Sequence, residues 1–263
     1  TRRMRGAGKP FVVPPTLYDS LMARLDRIPE VKALAQTAAC IGRDFEFRTL
    51  AGIAGINHDA LLSGLDRLVE AELLFRRGTP PDATYSFKHA LVRDAAYESQ
   101  LRSRRQEIHK AIVRSMEKSS ATSHPEVVAQ HALHAGDKQK AITFFIQAGQ
   151  QAGARFANRE ALQNFTNAFR LLESMPAGLA RDRQELALRL ELGLPLITIR
   201  GNAKEEVQAH YSSNVELAKR LVGLDPYRES SHRQLMELHA AAGERAEAIR
   251  QYQVCERLLR NEL

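Results

Sequence analysis

A pattern of small and aromatic residues that occurs twice constrains the fold of this chain more than any other feature. The pattern begins with a glycine at position 136 and returns 107 residues later. A glycine at a turn, small residues where helices touch and an aromatic residue between them are typical of paired helices. One such pair cannot bury its own apolar face, so an α-helical solenoid is predicted from about residue 125 onward. The two sets are Gly136, Ala141, Phe145, Ala148 and Gly243, Ala248, Tyr252, Cys255.

The composition favours a mainly α-helical protein. Helix-forming residues dominate, tryptophan is absent, and aromatic residues make up only 6% of the chain, which argues against a sheet sandwich. A chain of 263 residues with 44% hydrophobic positions is long enough for one large or two ordinary domains.

The first half of the chain predicts helices followed by a β-hairpin, the element order of a winged-helix domain. Thr16 caps one predicted helix, Pro29 starts a second that Gly42 ends, and Asn57 caps a later one. Another helix is predicted over residues 47–54. The hairpin strands are predicted over residues 73–77 and 84–87, because a turn rich in glycine and proline separates them.

A change of periodicity places a histidine at the start of a helix. Tyr85 and Phe87 alternate as in a strand, whereas Leu91 and Ala95 follow at helical spacing, so a strand runs directly into a helix at His89. Free N–H groups and the positive end of the helix dipole favour an anion there, which makes His89 a candidate donor to a phosphate. The alternative is a histidine that bonds a nearby backbone carbonyl.

Residues 85–97, YSFKHALVRDAAY, resemble a segment of bacterial signal-transduction ATPases of the STAND class, especially those associated with adenylate/guanylate cyclases or transcriptional regulators. Residues 13–27 and 39–45 resemble further signatures of the same class. The resemblance implies a winged helix that packs on a nucleotide-binding domain absent from this chain, with ADP or ATP bound in the parent protein and no cofactor in this chain. It also implies that His89 contacts the β-phosphate of ADP. Of the class's Met-His-Asp-like motif, only the histidine is present.

The end of the chain resembles a second family. Residues 221–263, about the last 45, are similar to the bacterial transcriptional activator domain, which is a tetratricopeptide-like module for protein contacts. We therefore expect a flexible linker over 1–13, a winged-helix domain with following helices over 14–118, tetratricopeptide-like repeats over 125–220 and an activator-like helical hairpin over 221–263. An unknown protein or ligand is expected on the solenoid, with candidate contacts at Gln130, His134, Gln147 and Arg155.

The charge balance leaves several partners open. The chain has 38 basic and 31 acidic residues, a net charge of +7, which suits a solvated surface, nucleic acid or an acidic protein partner. The outer side of the predicted recognition helix carries four acidic residues and one arginine, which would repel phosphates. DNA binding by this domain is therefore not expected, although a DNA-associated transcriptional regulator is the alternative function. These residues are Asp59, Asp66, Glu70, Glu72 and Arg67.

Sequence motifs of catalysis and of metal binding are absent. The chain contains neither a GxxxxGK[ST] loop nor a GxSxG elbow, so we expect a non-catalytic protein. Cys40 and Cys255 are far apart, and the histidines at 124, 131 and 134 lack the accompanying ligands of a metal site. The sequence has no signal-peptide pattern and no run of about 20 apolar residues, so a cytoplasmic protein without a membrane span is expected. Because the chain starts at Thr1 and stops without a helix end, we expect it to be part of a longer polypeptide.

Overall fold

The computed structural model describes Leu25 and residues 28–118, 124–201 and 205–262. These residues form twelve helices with both ends defined and one three-stranded sheet, which confirms the prediction of a mainly α-helical chain. The chain divides into two compact units. The first unit comprises Thr1–Thr122 with His134–Gly136, and the second comprises Ser123–Leu133 with Asp137–Leu263.

The described residues of the first unit form five helices with both ends defined and three short strands. The sheet is antiparallel with the strand order β1-β3-β2, so the last strand lies in the middle. In chain order the elements are α1 (Pro29–Ile41), β1 (Asp44–Glu46), α2 (Phe47–Ala54), α3 (His58–Glu70), β2 (Leu74–Arg77), β3 (Thr84–Phe87), α4 (Ala90–Glu98) and α5 (Arg102–Lys118).

Local sequence signals define most of these boundaries. Pro29 is the first residue of α1 and Gly42 follows its end, as predicted. Asn57 caps α3, because its side-chain oxygen accepts a hydrogen bond from the Ala60 N–H at 2.8 Å. The β2–β3 hairpin also forms where it is predicted. The predicted helix that Thr16 caps lies outside the described residues except for Leu25, which is buried.

Strand β1 corrects one expectation, because the sequence predicts strands only in the hairpin. β1 has three residues, too few to show an alternating pattern, and it forms by pairing with β3. Its central residue, Phe45, is buried and stacks on Tyr85 with the ring centroids 5.7 Å apart. The strand therefore depends on a partner about forty residues away in sequence.

The core of the first unit lies between the inner face of the sheet and the helices. Tyr85 and Phe87 point inward from β3, while Leu61, Leu65 and Leu68 come from one face of α3, and all five are buried. This packing fixes the direction in which the chain leaves β3 and enters α4.

The second unit is a series of helices in which each from α7 to α12 packs on the next. Short connections make such neighbours antiparallel. The described residues from Pro125 onward form no strand, and none of the described helices combines the length and apolarity of a membrane span. The helices are α6 (Pro125–His134), α7 (Lys138–Ala154), α8 (Asn158–Glu173), α9 (Leu179–Arg200), α10 (Glu205–Leu224), α11 (Glu229–Ala241) and α12 (Arg245–Glu262).

The two copies of the sequence pattern lie at equivalent turns but differ in burial. Gly136 follows α6 with φ 85° and Gly243 follows α11 with φ 80°, as expected of turn glycines. In the first copy the small and aromatic residues on α7 are all buried, including Phe145. In the second copy Cys255 is buried, whereas Tyr252 is 56% exposed. The last hairpin therefore presents an aromatic side chain that its counterpart hides.

Candidate functional site

His89 occupies the junction between β3 and α4, as the sequence predicts. Its backbone is extended, with φ −129° and ψ 133°, and it holds the N-cap position of α4. Two backbone bonds secure the residues before it: the Phe87 N–H donates to the Arg43 carbonyl at 2.9 Å, and the Lys88 N–H donates to the Leu73 carbonyl at 3.0 Å. The imidazole is thus carried on a backbone that the sheet and the end of α3 hold in place.

The start of α4 lacks a side-chain cap. The His89 carbonyl accepts from the Val92 N–H at 3.0 Å, but the His89 side chain makes no capping bond, unlike Asn57 at α3. The first turn of α4 contains no acidic residue. Because His89 and Ala90 are both exposed, the free amides of the first turn and the positive end of the dipole lie at the surface. This arrangement suits an anion.

The imidazole of His89 makes no hydrogen bond to another described residue. The alternative of a bond to a nearby backbone carbonyl is therefore not the arrangement in this structure. An exposed imidazole beside free amides remains able to donate to an external oxygen atom.

The basic residues near His89 already have partners. Lys88 Nζ lies 3.2 Å from Glu72 Oε1 and also 4.9 Å from the centroid of the Phe75 ring. Arg93 Nε lies 3.2 Å from the carboxylate of Asp94. These pairs are partly exposed and contribute little stability. They nevertheless compensate the two cations, so the attraction for an anion comes from the helix start and the imidazole.

The four residues expected to contact a partner on the solenoid do not form one group. Gln130 and His134 lie one turn apart on α6, Gln147 lies on α7, and Arg155 directly follows α7. All four are exposed. His134 belongs to the first compact unit, while the other three belong to the second. Arg155 lies 3.4 Å from Glu160 in an exposed ion pair.

His134 has a contact within the first unit. Its ring stacks on that of His109, with centroids 4.9 Å apart and an interplanar angle of 23°. His109 is buried, and its Nε2 lies 3.1 Å from Tyr97 Oη. Burial raises the pKa of Tyr97, and the neighbouring Cys40 adds to the rise. One face of the His134 ring is thus occupied, which reduces the surface it offers to a partner.

The two most exposed large apolar side chains among the described residues of the second unit were not predicted as contacts. Phe156, in the turn between α7 and α8, is 87% exposed, and Leu194, on α9, is 71% exposed. The sequence does carry a signal for the first, because Phe156 stands at a turn position where Gly136 and Gly243 stand in other repeats. Leu194 lies in an uncharged run of α9.

Described residues of the second unit also line open cavities, of which two are notable. One of about 610 Å³ lies between α10 and the end of α11, with Tyr211, Glu216 and Glu244 in its wall. Another of about 260 Å³ lies between α11 and α12, with Met236 and Tyr252 in its wall. Within the described ranges, no three histidine, cysteine or acidic side chains group in the manner of a metal site.

The architecture defines the class of the protein: a compact helix-and-sheet unit followed by a row of antiparallel helices. Residues 128–263, just over half of the chain, match the model of the Bacterial transcriptional activator domain, and the chain belongs to this family. The match corrects the sequence prediction, which confines the resemblance to about the last 45 residues, because it begins within α6 and includes α7 to α10.

Two further similarities were found. An uncharacterized protein of Rhizobium meliloti (strain 1021) is 28% identical over 225 residues, which cover 84% of this chain and 22% of that protein. The crystal structure of a Signal Transduction ATPase with Numerous Domains (STAND) protein with a tetratricopeptide repeat sensor, from Pyrococcus horikoshii, is similar with a TM-score of 0.46 and 11% identity. That similarity covers 96% of this chain and 41% of the other. The chain thus spans less than half the length of either protein.

Proposed function

We propose that this chain is a non-catalytic regulatory and protein-interaction arm of a STAND-type signal-transduction ATPase. In this proposal the first unit is a winged-helix domain that packs on a nucleotide-binding domain outside the chain. The second unit is a tetratricopeptide-like solenoid that binds a partner protein or ligand. The longer protein binds ADP or ATP, and His89 contacts the β-phosphate of bound ADP.

The observation that supports the proposal is the exposed imidazole of His89 directly beside the start of α4. Five other described helices also begin without a side-chain cap, so the missing cap alone does not distinguish α4. What distinguishes it is an exposed imidazole that has no hydrogen-bond partner among the described residues. An external phosphate would satisfy the amides at the start of α4 and accept a bond from the imidazole. The STAND resemblance of residues 85–97 supports this assignment independently, because it covers the same strand-to-helix junction.

Membership in the Bacterial transcriptional activator domain family supports an interaction role for the second unit. A row of helices in which each packs mainly on its neighbours presents long exposed surfaces, which suits recognition of another protein. The relative from Rhizobium meliloti is several times longer than the matched region, which leaves room for a nucleotide-binding domain in a protein of this kind.

The proposal is tested by calorimetry of this chain with the separately expressed nucleotide-binding domain. Binding is measured once in the presence of ADP and once in the presence of a non-hydrolysable ATP analogue. We expect tighter binding with ADP, and a loss of that preference in His89→Ala. His124→Ala is a matched control, because His124 is also exposed and its carbonyl also accepts from the residue three positions on, at 3.0 Å. Equal binding with both nucleotides, or equal effects of the two substitutions, would refute the proposal.

A second candidate function is a DNA-associated transcriptional regulator that uses the activator domain for protein contacts. The family match favours this second function only because the family is described as a transcriptional activator domain. The exposed side of α3 argues against DNA readout by the first unit, since it carries Asp59, Asp66 and Glu70 with one arginine, and that arginine pairs with Glu30 at 3.1 Å. Titration with duplex DNA at low and physiological salt distinguishes the two functions. Binding that persists at physiological salt would favour the regulator.

A further inference from the structure

The face of α7 that is turned toward α8 is buried. A Cβ added at Gly149 would lie 2.5 Å from the Phe165 ring of α8, so position 149 faces that helix. Ile142 and Phe145 precede Gly149 by seven and four residues and therefore lie on the same side of α7. Each of these two side chains is only 2% exposed. In the first copy of the repeated pattern, a neighbouring helix thus covers the apolar face.

The equivalent face of α12 is open. Ile249 follows Ile142 by 107 residues and is 50% exposed. Tyr252 follows Phe145 by the same interval and is 56% exposed. Both copies therefore carry an isoleucine and an aromatic residue at matching positions, but among the described residues only the first copy has a helix packed over them.

A cavity of about 260 Å³ adjoins the open face. Tyr252, Cys255 and Leu259 of α12 line one side of it, and Met236 of α11 lies on the other. Cys255 is buried, so the cavity continues directly from the packed contact between α11 and α12. An apolar cavity of ~150 Å³ is already large enough to hold benzene. This cavity can therefore accept an aromatic or branched aliphatic side chain.

The charged residues at the rim of the cavity are paired within their own helices. Arg233 lies 3.1 Å from Glu229 on α11, and Arg260 lies 2.7 Å from Glu256 on α12. The four charges sum to zero, so the rim offers no excess of either sign to an incoming segment. Recognition at this surface therefore depends on apolar shape more than on charge.

Glu256 marks a difference between the two copies. It stands where α7 has Gly149, so the close approach of the Phe165 ring to α7 has no equivalent on α12. A large side chain finds room instead in the cavity beside Glu256. An occupant would thus lie along α12 and insert its largest residue between α11 and α12.

We propose that the open face of α12, formed by Ile249, Tyr252 and Leu259 together with Met236 of α11, binds an amphipathic helix of a partner protein through an aromatic anchor. The occupant is a helix because α8 covers the matching face of α7. A helix that places an apolar anchor in such a groove is a common mode of recognition. The inference rests on the proposed interaction role of the second unit and names the surface and the partner class.

The test titrates the whole chain into a labelled peptide with the sequence of α8, residues 158–173, and follows fluorescence anisotropy. The peptide is the probe because its apolar stripe is the one that covers α7; the stripe consists of Ala161, Phe165, Ala168 and Leu172. We expect Tyr252→Ser and Ile249→Gln each to weaken binding at least tenfold. Both side chains are half exposed, so the melting temperature should change little. Added salt should alter the affinity less than about twofold, because the rim charges are paired.

Val254→Gln is the matched control. Val254 is 38% exposed on the same helix, but two residues from Tyr252 and so on the opposite side of α12, and this variant should bind like wild type. A peptide with the Phe165→Ser change should bind at least tenfold more weakly than the original. No binding of the peptide, equal binding of the two peptides, or binding that is unchanged in Tyr252→Ser and Ile249→Gln would overturn the proposal.

The full-length protein provides the last comparison. It should bind the peptide as tightly as this chain does, because the face is kept open for a partner. Loss of peptide binding in the full-length protein would show that a segment of the same polypeptide covers α12, and would overturn the assignment to a partner. The calorimetric test of His89 does not involve this surface, so failure here leaves the proposed function standing.

Discussion

Replacement of Gly149 by alanine tests the packing of α7 against α8 directly. A Cβ at Gly149 would lie 2.5, 2.6 and 2.8 Å from three ring atoms of Phe165. Phe165 is buried, so its ring has little room to move. Inserting a methyl group into such a contact costs about 1–3 kcal/mol. Alanine also favours the helix over glycine by about 1 kcal/mol, which partly offsets that cost.

Gly153→Ala separates the two effects. Gly153 lies one turn later on the same helix, and an added Cβ there meets no atom within 4 Å. This control therefore gains helix propensity without a clash. We expect Gly149→Ala to be less stable than Gly153→Ala by about 1–3 kcal/mol, which corresponds to a melting temperature lower by roughly 3–10 °C.

Thermal unfolding followed by circular dichroism, with urea titrations for the free energies, measures this difference. The double variant Gly149→Ala with Phe165→Leu should recover part of the loss, because a smaller side chain makes room for the methyl group. If Gly149→Ala proves as stable as Gly153→Ala, the close approach of α7 and α8 at this point is wrong.

Two further predictions follow from buried polar groups. The Tyr85 hydroxyl is buried near Arg76 but makes no hydrogen bond of normal geometry to any described residue. Tyr85→Phe should therefore leave the first unit as stable, or more stable by up to about 1 kcal/mol, in urea unfolding. A clear loss of stability would show that the hydroxyl bonds the Arg76 guanidinium. Burial lowers the pKa of His210 below its usual 6.5, against the opposing effect of its contact with the Arg189 carbonyl. The unfolded chain therefore binds this proton more readily than the folded chain does. The neutral His210 side chain contributes its full stabilisation above pH 6.5, and this stabilisation is lost as the pH falls from 6.5 through the lower pKa of the folded state. Chemical unfolding from pH 8 to 5 should show a shallower decline in His210→Gln than in wild type, and parallel curves would contradict the assignment.

Elements with local signals could be predicted from the sequence. Pro29 and Gly42 bound α1, Asn57 caps α3, and the turn after β2 identifies the hairpin, because each of these residues acts on its own neighbours. β1 could not be predicted, since its three residues become a strand only by pairing with β3.

The features of the candidate site can likewise be separated into those with a local sequence signal and those that depend on the packed structure. The position of His89 follows from a change of periodicity that is visible in the sequence, but its exposure and the missing cap depend on how the sheet directs the chain. The stack of His134 on His109 joins residues from different helices and has no local signal. Phe156 is intermediate: its turn position can be read by comparison with Gly136, whereas its exposure requires the packed helices.

The extent of the family match also exceeded the sequence prediction. The segment after residue 220 carries the more recognisable run of residues, while the match itself begins at residue 128. Between residues 128 and 220 the chain still forms helices, but Pro176 and Pro195 interrupt the regular spacing of the sequence pattern. Such interruptions obscure a repeat in sequence more than in structure, because each helix needs to pack only on its neighbours.

If His89 contacts bound ADP in the longer protein, as proposed, its removal should speed the release of ADP. A charge-assisted hydrogen bond to phosphate contributes about 1.5–3 kcal/mol, equivalent to roughly a 10- to 150-fold change in rate when the bond is lost before release. Stopped-flow release of a fluorescent ADP analogue from the full-length protein should therefore be about 10- to 150-fold faster in His89→Ala and unchanged in His124→Ala. Release from His89→Ala at the wild-type rate, with a lowered melting temperature of this chain, would show that His89 is a structural residue and contradict the account.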